Sequence, residues 1–493
     1  MHGASLALTD PGGAGQVPQD PIPGPAPRRP LRERVRGLSR DPGALAPYAL
    51  ALFLFCAYAT LTVCRYRLMA TASWDLGIFE QVVRAYAELR APVADIKGRG
   101  THILGDHFSP VTVLLAPVYR IFPTPVTLLI AQAALFALSA VPVTRAAGRL
   151  LGRRPGLALG VAYGMSWGLQ RAIAVDFHEI AFAVPLIAFS LEALLTHRWR
   201  AALWWAVPLV LVKEDLGLTA AALALLVAVR ARRTPSASRV VPYALGVAAL
   251  TALAAVLTFT VVIPAFNTAD TYDYWVKMDG GNGPLDGADV KFRTLLWLLV
   301  PTTGLLAFRS PLLLAVLPTL GWRFLSSEEF YWGTAWHYSA VLMPVVTLAL
   351  ADACAGVRRA SGARPWVRSY AYHLPPAVAA AALALTPSLP LSALTEPAAY
   401  RVTDQVRAVE ALLDRIPDGS NVEANTAPIS RLTSRCRVFW PGNTRGLTPD
   451  YIALDNRQDP GRDTLAYAAR LHPKAAFRIA GEAGGFVLLE LRS

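Results

Sequence analysis

The chain has 493 residues, 54% hydrophobic and only 16% charged, with a net charge of +13 and a mean hydropathy of +0.38. That is more apolar surface than a soluble protein of this size hides in its core, so a bilayer is its solvent. The basic residues stand in short arginine clusters between apolar runs, which excludes a nucleic-acid stripe and fits membrane loops, and the four cysteines show neither CxxC nor Cys/His spacing, so no disulfide framework or zinc site is indicated.

Residues 1–45 are rich in Pro, Gly and Ala and then in arginine, with no apolar run, and read as a disordered cytoplasmic tail. The transmembrane region is expected over 46–390. Its candidate spans are 46–65, 124–144, 156–173, 180–196, 240–265, 292–308, 310–325, 338–356 and 369–388. The run 201–231 is too long for one helix and is interrupted by Lys213-Glu214-Asp215, so it divides into two half-spans meeting at that turn. The stretch 110–122 is too short to cross and is bounded by Pro110 and Pro123; it reads as a helix at the outer interface, or re-entrant.

This gives about eleven crossings. With the tail inside, the clusters Arg145 to Arg154, Arg198 and Arg200, Arg230 to Arg239 and Arg358 to Arg368 all fall inside as well. The same orientation sends a large first loop (66–123), the connections 174–179, 266–291 and 326–337, the 213–215 turn and a C-terminal domain (396–493) outward. In that domain VTDQVRAVEALLDRI (402–416) has one apolar face, and strands are expected near 420–424, 437–440, 450–455 and 486–492. The fold class is therefore an all-α polytopic membrane protein with a small α/β extracytoplasmic domain.

The ionisable residues in the outward segments are the candidates for chemistry. In the first loop, Leu76, Phe79, Val83 and Tyr86 recur at helical spacing, so an amphipathic helix lying on the membrane surface is expected, with Asp75 in its first turn. Asp75 fits both a carboxylate favoured by the helix dipole and a general base at a cavity mouth. The loop closes with Asp106-His107, where a plain turn does not require the histidine. Asp176-Phe177-His178-Glu179 fits either a divalent-cation site or a solvated connection. Three charges in a row at 213–215 would each cost about 2.5–3.5 kcal/mol at the bilayer centre, so Lys213, Glu214 and Asp215 call for a protein-lined cavity, although a structural ion pair of Lys213 also fits. His337 stands at the rim of the following span.

The series WDLGIFEQ (74–81), GDHFSP (105–110), DFHE (176–179), VKED (212–215), WHYSA (336–340) and SNVEANTAPISRLTSRCRVF (420–439) resembles the DUF2079 family of predicted bacterial membrane proteins, from about residue 50 to the C-terminus. That family in turn resembles the GT-C superfamily of membrane glycosyltransferases, which place an acid at the start of an amphipathic helix in a large first external loop and break a helix pair at a lysine-bearing turn. The pattern departs from the superfamily's paired acids, since Asp75 is followed by Leu76 and the next acid is Glu80. The resemblance implies a GT-C-like fold and an inverting transferase of the outer face of the cytoplasmic membrane. Its implied partners are a polyprenyl-phosphate-linked sugar and a cell-envelope acceptor, with no nucleic acid and no certain cofactor, a divalent cation being open. Asp75, Asp106 and His107 are then the expected catalytic group; Glu80, Asp176, His178, Glu179, Lys213, Glu214, Asp215 and His337 are expected to bind substrate or lipid phosphate. The alternative is a non-catalytic transporter or flippase of lipid-linked precursors, which a broken, charged helix suits equally.

Overall fold

A computed structural model describes residues 42–269, 271–274 and 285–492. The tail expected at 1–45 lies, up to residue 41, outside the described residues, and so does part of the segment 266–291 that is expected to be external. Residues Ala46–Ser493 form one compact unit.

Among the described residues four helices are long and apolar enough to cross a membrane, Ala44–Arg67, Pro125–Leu151, Val240–Phe266 and Glu329–Arg359. They sit differently. Val240–Phe266 turns Leu250, Leu253, Val256 and Val261 outward with more than half of each side chain exposed, an apolar stripe that only hydrocarbon solvates. Glu329–Arg359 is enclosed by its neighbours, with Val345, Val346, Leu348 and Ala349 buried.

Of the other expected crossings, 369–388 is one helix, Pro365–Leu385, and the rest form shorter or broken helices. The span expected at 156–173 is two helices, Arg153–Gly164 and Trp167–Ala174, parted at Met165 and Ser166. The run 201–231 divides where expected, into Trp199–Ala206 with a 3-10 turn Val207–Leu211, and Leu216–Arg232. Pro208 lacks a backbone donor and tightens the turn before the break. The short helix Pro110–Ile121 leaves Val113, Leu114, Val118 and Ile121 exposed, as a helix resting in an interface would.

The C-terminal region carries a five-stranded sheet in the order β2-β1-β3-β5-β4, with β1 Asn421–Ala424, β2 Arg437–Phe439, β3 Tyr451–Asp455, β4 Phe477–Ala483 and β5 Phe486–Leu491. β1 pairs in parallel with β2 and β3, while β5 runs antiparallel to β3 and β4. β4 has no counterpart among the expected strands. It is an edge strand with little buried surface, so FRIAGEA lacks the apolar alternation that marks a half-buried strand.

The helix Trp74–Ala87 departs from expectation. It does not lie with an apolar face on the membrane surface, because the protein covers it on both sides. Ile78 and Val82 pack with Ile429 and Leu432 of the C-terminal domain, whereas Leu76, Phe79 and Val83 pack with Leu115, Tyr119 and Phe177. Gly77 permits this approach, since a Cβ there would lie 2.2 Å from Ile429 Cγ2. Polar contacts lock the same interface: Gln81 donates to the Val438 carbonyl at 2.9 Å, Arg84 to the Thr433 and Cys436 carbonyls, and Arg437 pairs with both oxygens of Asp95.

Glu80 is part of that lock. Fully buried, it accepts from the Tyr119 hydroxyl at 2.9 Å and from the Thr433 hydroxyl. Burial pushes its carboxyl up to about 7, against the opposing effect of the two hydroxyls. A carboxyl raised in the folded state stabilises fully below its unfolded value near 4.5 and loses that stabilisation as pH rises to about 7. Glu80→Gln, which keeps the neutral shape, is expected to melt progressively higher than wild type as pH goes from 5 to 7.5, by on the order of a few degrees. Parallel melting curves for the two proteins in detergent would exclude this role.

Candidate active site

The charged motifs come from separate segments, and the fold strings them together. Asp75 is the second residue of the helix Trp74–Ala87, which starts directly after Ser73, a residue with a left-handed backbone at φ 60°. Such a conformation is costly for a residue with a Cβ, and it is held by Ser73 Oγ lying 2.7 Å from Ser430 Oγ of the C-terminal domain. Asp75 Oδ2 then lies 2.9 Å from His178 Nε2.

The histidine's protonation follows from its partners. Nδ1 is 2.8 Å from the Asp176 carbonyl oxygen and Nε2 faces a carboxylate. Both neighbours only accept, so both ring nitrogens donate and the ring is an imidazolium. Burial alone would push His178 down, but the Asp75 carboxylate and its hydrogen bond hold it above the usual imidazole value. Reciprocally, burial would push the Asp75 carboxyl up, and the His178 charge and hydrogen bond hold it below the usual range. Asp75 keeps 36% of its side chain accessible while His178 is buried, so a carboxylate oxygen remains available to a ligand.

From His178 the charges alternate onward. The adjacent Glu179, buried, accepts from Lys213 Nζ at 3.0 Å. The next residue, Glu214, also buried, lies 2.9 Å from His107 Nδ1 and accepts from the Phe108 N–H at 3.2 Å and the Tyr272 hydroxyl at 3.1 Å. Asp106, beside His107, lies 3.2 Å from Lys97 Nζ. Four segments thus form one chain of opposite charges running from Asp75 to Lys97. Each buried member is tolerable because its neighbour compensates it.

Several expected site residues fall outside this chain. Glu80 belongs to the interdomain lock described above. The Asp176 carboxyl accepts from the Leu76 backbone, while its Oδ1 is buried without a hydrogen bond among the described residues, and burial together with the Asp75 charge pushes the carboxyl up to about 7. Asp215 stands at the start of Leu216–Arg232 with Oδ1 buried and unbonded. His337 reaches the chain through a tilted ring contact, its centroid 3.4 Å from that of His178 and the planes 31° apart, and its Nδ1 is buried without a partner among the described residues. The divalent-cation alternative for residues 176–179 loses its ligand set, because Asp176, His178 and Glu179 diverge to different partners. Among the described residues no group of three or more His, Cys, Asp or Glu side chains is arranged to hold a metal ion.

Two residues that matter here carry no signal in the sequence. Gln132, buried in the helix Pro125–Leu151, donates to the Asp176 carbonyl at 3.2 Å and accepts from the His178 N–H at 3.0 Å. It fixes the backbone that aims His178, yet a lone glutamine in an apolar span is indistinguishable from a packed one. Arg323 is fully buried and donates to the Tyr331 and Gly333 carbonyls and the Ser339 hydroxyl. Its hydrogen-bond partners are neutral, and its guanidinium also lies 5.8 Å from the centroid of the Tyr338 ring, so carbonyl dipoles and a ring face solvate the charge beneath the 331–339 segment.

The profile described as "Predicted membrane protein (DUF2079)" matches residues 65–277 and 284–488, and the chain belongs to that family. No match was found among curated proteins. Among solved structures, ArnT from Cupriavidus metallidurans bound to undecaprenyl phosphate is similar at 13% identity and a TM-score of 0.52, over 89% of this chain and 97% of that one. The apo form of the same ArnT gives 13% identity and a TM-score of 0.46, over 84% and 92%. The first likeness shows a shared fold.

His178→Phe removes the charge that holds Asp75 ionised while leaving its burial. Carbodiimide labelling of Asp75 at pH 6, mapped by mass spectrometry, is expected to rise several-fold over wild type, since the reagent attacks the protonated carboxyl. Equal labelling would show that the pair does not control Asp75.

Proposed function

We propose that this member of the DUF2079 family is a GT-C-type membrane glycosyltransferase that takes a sugar from a polyprenyl-phosphate donor and passes it to a cell-envelope acceptor on the outer face of the membrane. The observation that carries this is the chain of ion pairs ending in a partly accessible Asp75 carboxylate, set in a fold shared with a protein that binds undecaprenyl phosphate. Asp75 sits as a general base should: one oxygen is anchored to His178, and the side chain remains accessible to an acceptor hydroxyl.

In the proposed step the acceptor oxygen attacks the anomeric carbon on the face opposite the phosphate. The bond from that carbon to the phosphate oxygen breaks, polyprenyl phosphate leaves with the electron pair, and the hydroxyl proton passes to Asp75. Phosphate is already a good leaving group and the transition state resembles an oxocarbenium ion, so a carboxylate of depressed pKa suffices: its charge stabilises the cationic carbon and it takes a proton that has become acidic. Lys213 is the cation nearest in sequence to the break in the helix pair; one of its three N–H donors is engaged by Glu179, leaving others for the leaving phosphate. Asp106 and His107 extend the network toward the acceptor side, and His337, in ring contact with His178, keeps the imidazolium in place.

The test is transfer from a radiolabelled polyprenyl-phosphate-linked hexose in membranes containing the protein. Asp75→Asn is expected to lower transfer by roughly 10²-fold or more, the range of a lost general base, with retention of the lipid carrier unchanged. Lys213→Ala should instead weaken carrier retention. Full transfer by Asp75→Asn would remove Asp75 from the mechanism.

A further inference from the structure

Beyond the far end of the ion-pair chain, a cavity of about 250 Å³ opens between three segments distant in sequence. The first loop contributes Lys97, His102 and Asp106, the segment after Val240–Phe266 contributes Asp273 and Tyr274, and the C-terminal domain contributes Arg445. It is built by close packing at Gly105, where a Cβ would lie 2.4 Å from the Phe266 backbone. It adjoins the ion-pair chain through His107, whose ring centroid is 4.5 Å from that of Tyr274.

Its chemistry is mixed in a particular way. Two cations, Lys97 and Arg445, face two carboxylates, Asp106 and Asp273, so the walls select neither an anion nor a cation but offer donors and acceptors together. Arg445 donates to the Arg99 carbonyl at 3.1 Å and the Thr101 hydroxyl at 3.4 Å. It pairs with no carboxylate among the described residues, and its exposed fork keeps further N–H groups for a ligand. His102 lends a flat face, stacked on Phe266 at 4.5 Å, and Tyr274 lends a second. The volume lies below the roughly 300–1,000 Å³ of a site for a drug-sized ligand, which leaves room for about one ring.

We infer that this cavity binds a neutral saccharide unit, with hydroxyls bridging Arg445 and Asp273 and a ring face against the aromatic walls. Calling that saccharide the acceptor rests on the transferase proposal; the binding itself does not.

The probe is a set of methyl hexopyranosides of gluco, galacto and manno configuration, observed by saturation-transfer NMR on the full chain in detergent. Binding of at least one is expected. Arg445→Ala and Asp273→Asn should each weaken it about tenfold, as loss of one charged hydrogen bond does, while Arg478→Ala, on the exposed edge strand β4 away from the cavity, should bind as wild type does. Both altered residues are exposed, and unchanged melting temperatures would show that the variants fold. The inference falls if no hexopyranoside receives saturation, if both cavity variants bind as wild type does, or if inorganic phosphate displaces the sugar, which would mark an anion site. Binding without transfer would sink the transferase proposal and leave the cavity standing; transfer that is insensitive to Arg445→Ala and occurs without pyranoside binding would do the reverse.

Discussion

A charge buried in protein must be compensated by a neighbour, and this constraint organises the whole charged end of the molecule. His178 is buried against Asp75, Glu179 against Lys213, and Glu214 against His107. Each motif holds residues that look both ways along the chain: His178 and Glu179 are consecutive, and so are Lys213 and Glu214. None of the motifs would be stable alone at that depth. Displacing one would strand a charge on the next, so segments between residues 75 and 214 are tied at this point.

The C-terminal domain belongs to the same construction. It covers the helix Trp74–Ala87, which carries Asp75 in its first turn, through Gly77 against Ile429, Glu80 against Thr433, and Gln81 against Val438. Ser430 holds Ser73 in a left-handed conformation two residues before Asp75. A strained backbone persists where surrounding contacts over-determine it, and here those contacts come from a domain more than 350 residues further along the chain. The domain therefore helps to orient the carboxylate, and Arg445, in the loop between β2 and β3, completes the wall of a polar cavity next to the ion pairs.

Much of this was legible from residues alone, for a physical reason. Apolar runs, arginine clusters and a charged interruption at 213–215 report local free energies of solvation, which depend on composition and spacing and not on partners. The broken helix at Lys213, the short helix at 110–121 and four of the five strands follow from such signals. So does the choice of Lys213 as a residue needing explanation, since an ionisable group inside an apolar run is costly unless it is compensated; Asp75, His107 and His178 stand in connecting segments, where the residue type alone marks them out.

Pairing was decided only by the tertiary structure. Nothing in the spacing of Glu80 distinguishes it from Asp75, yet one is sealed under Tyr119 and Thr433 and the other stays partly accessible beside His178. DFHE reads as a ligand cluster, but its three ionisable side chains separate toward Leu76, Asp75 and Lys213. The helix Trp74–Ala87 has the periodicity of a membrane-surface helix, and only the distant C-terminal domain determines that its apolar residues meet protein instead of lipid. Composition determined which groups had to be compensated; long-range contacts, invisible to any local window, decided by what.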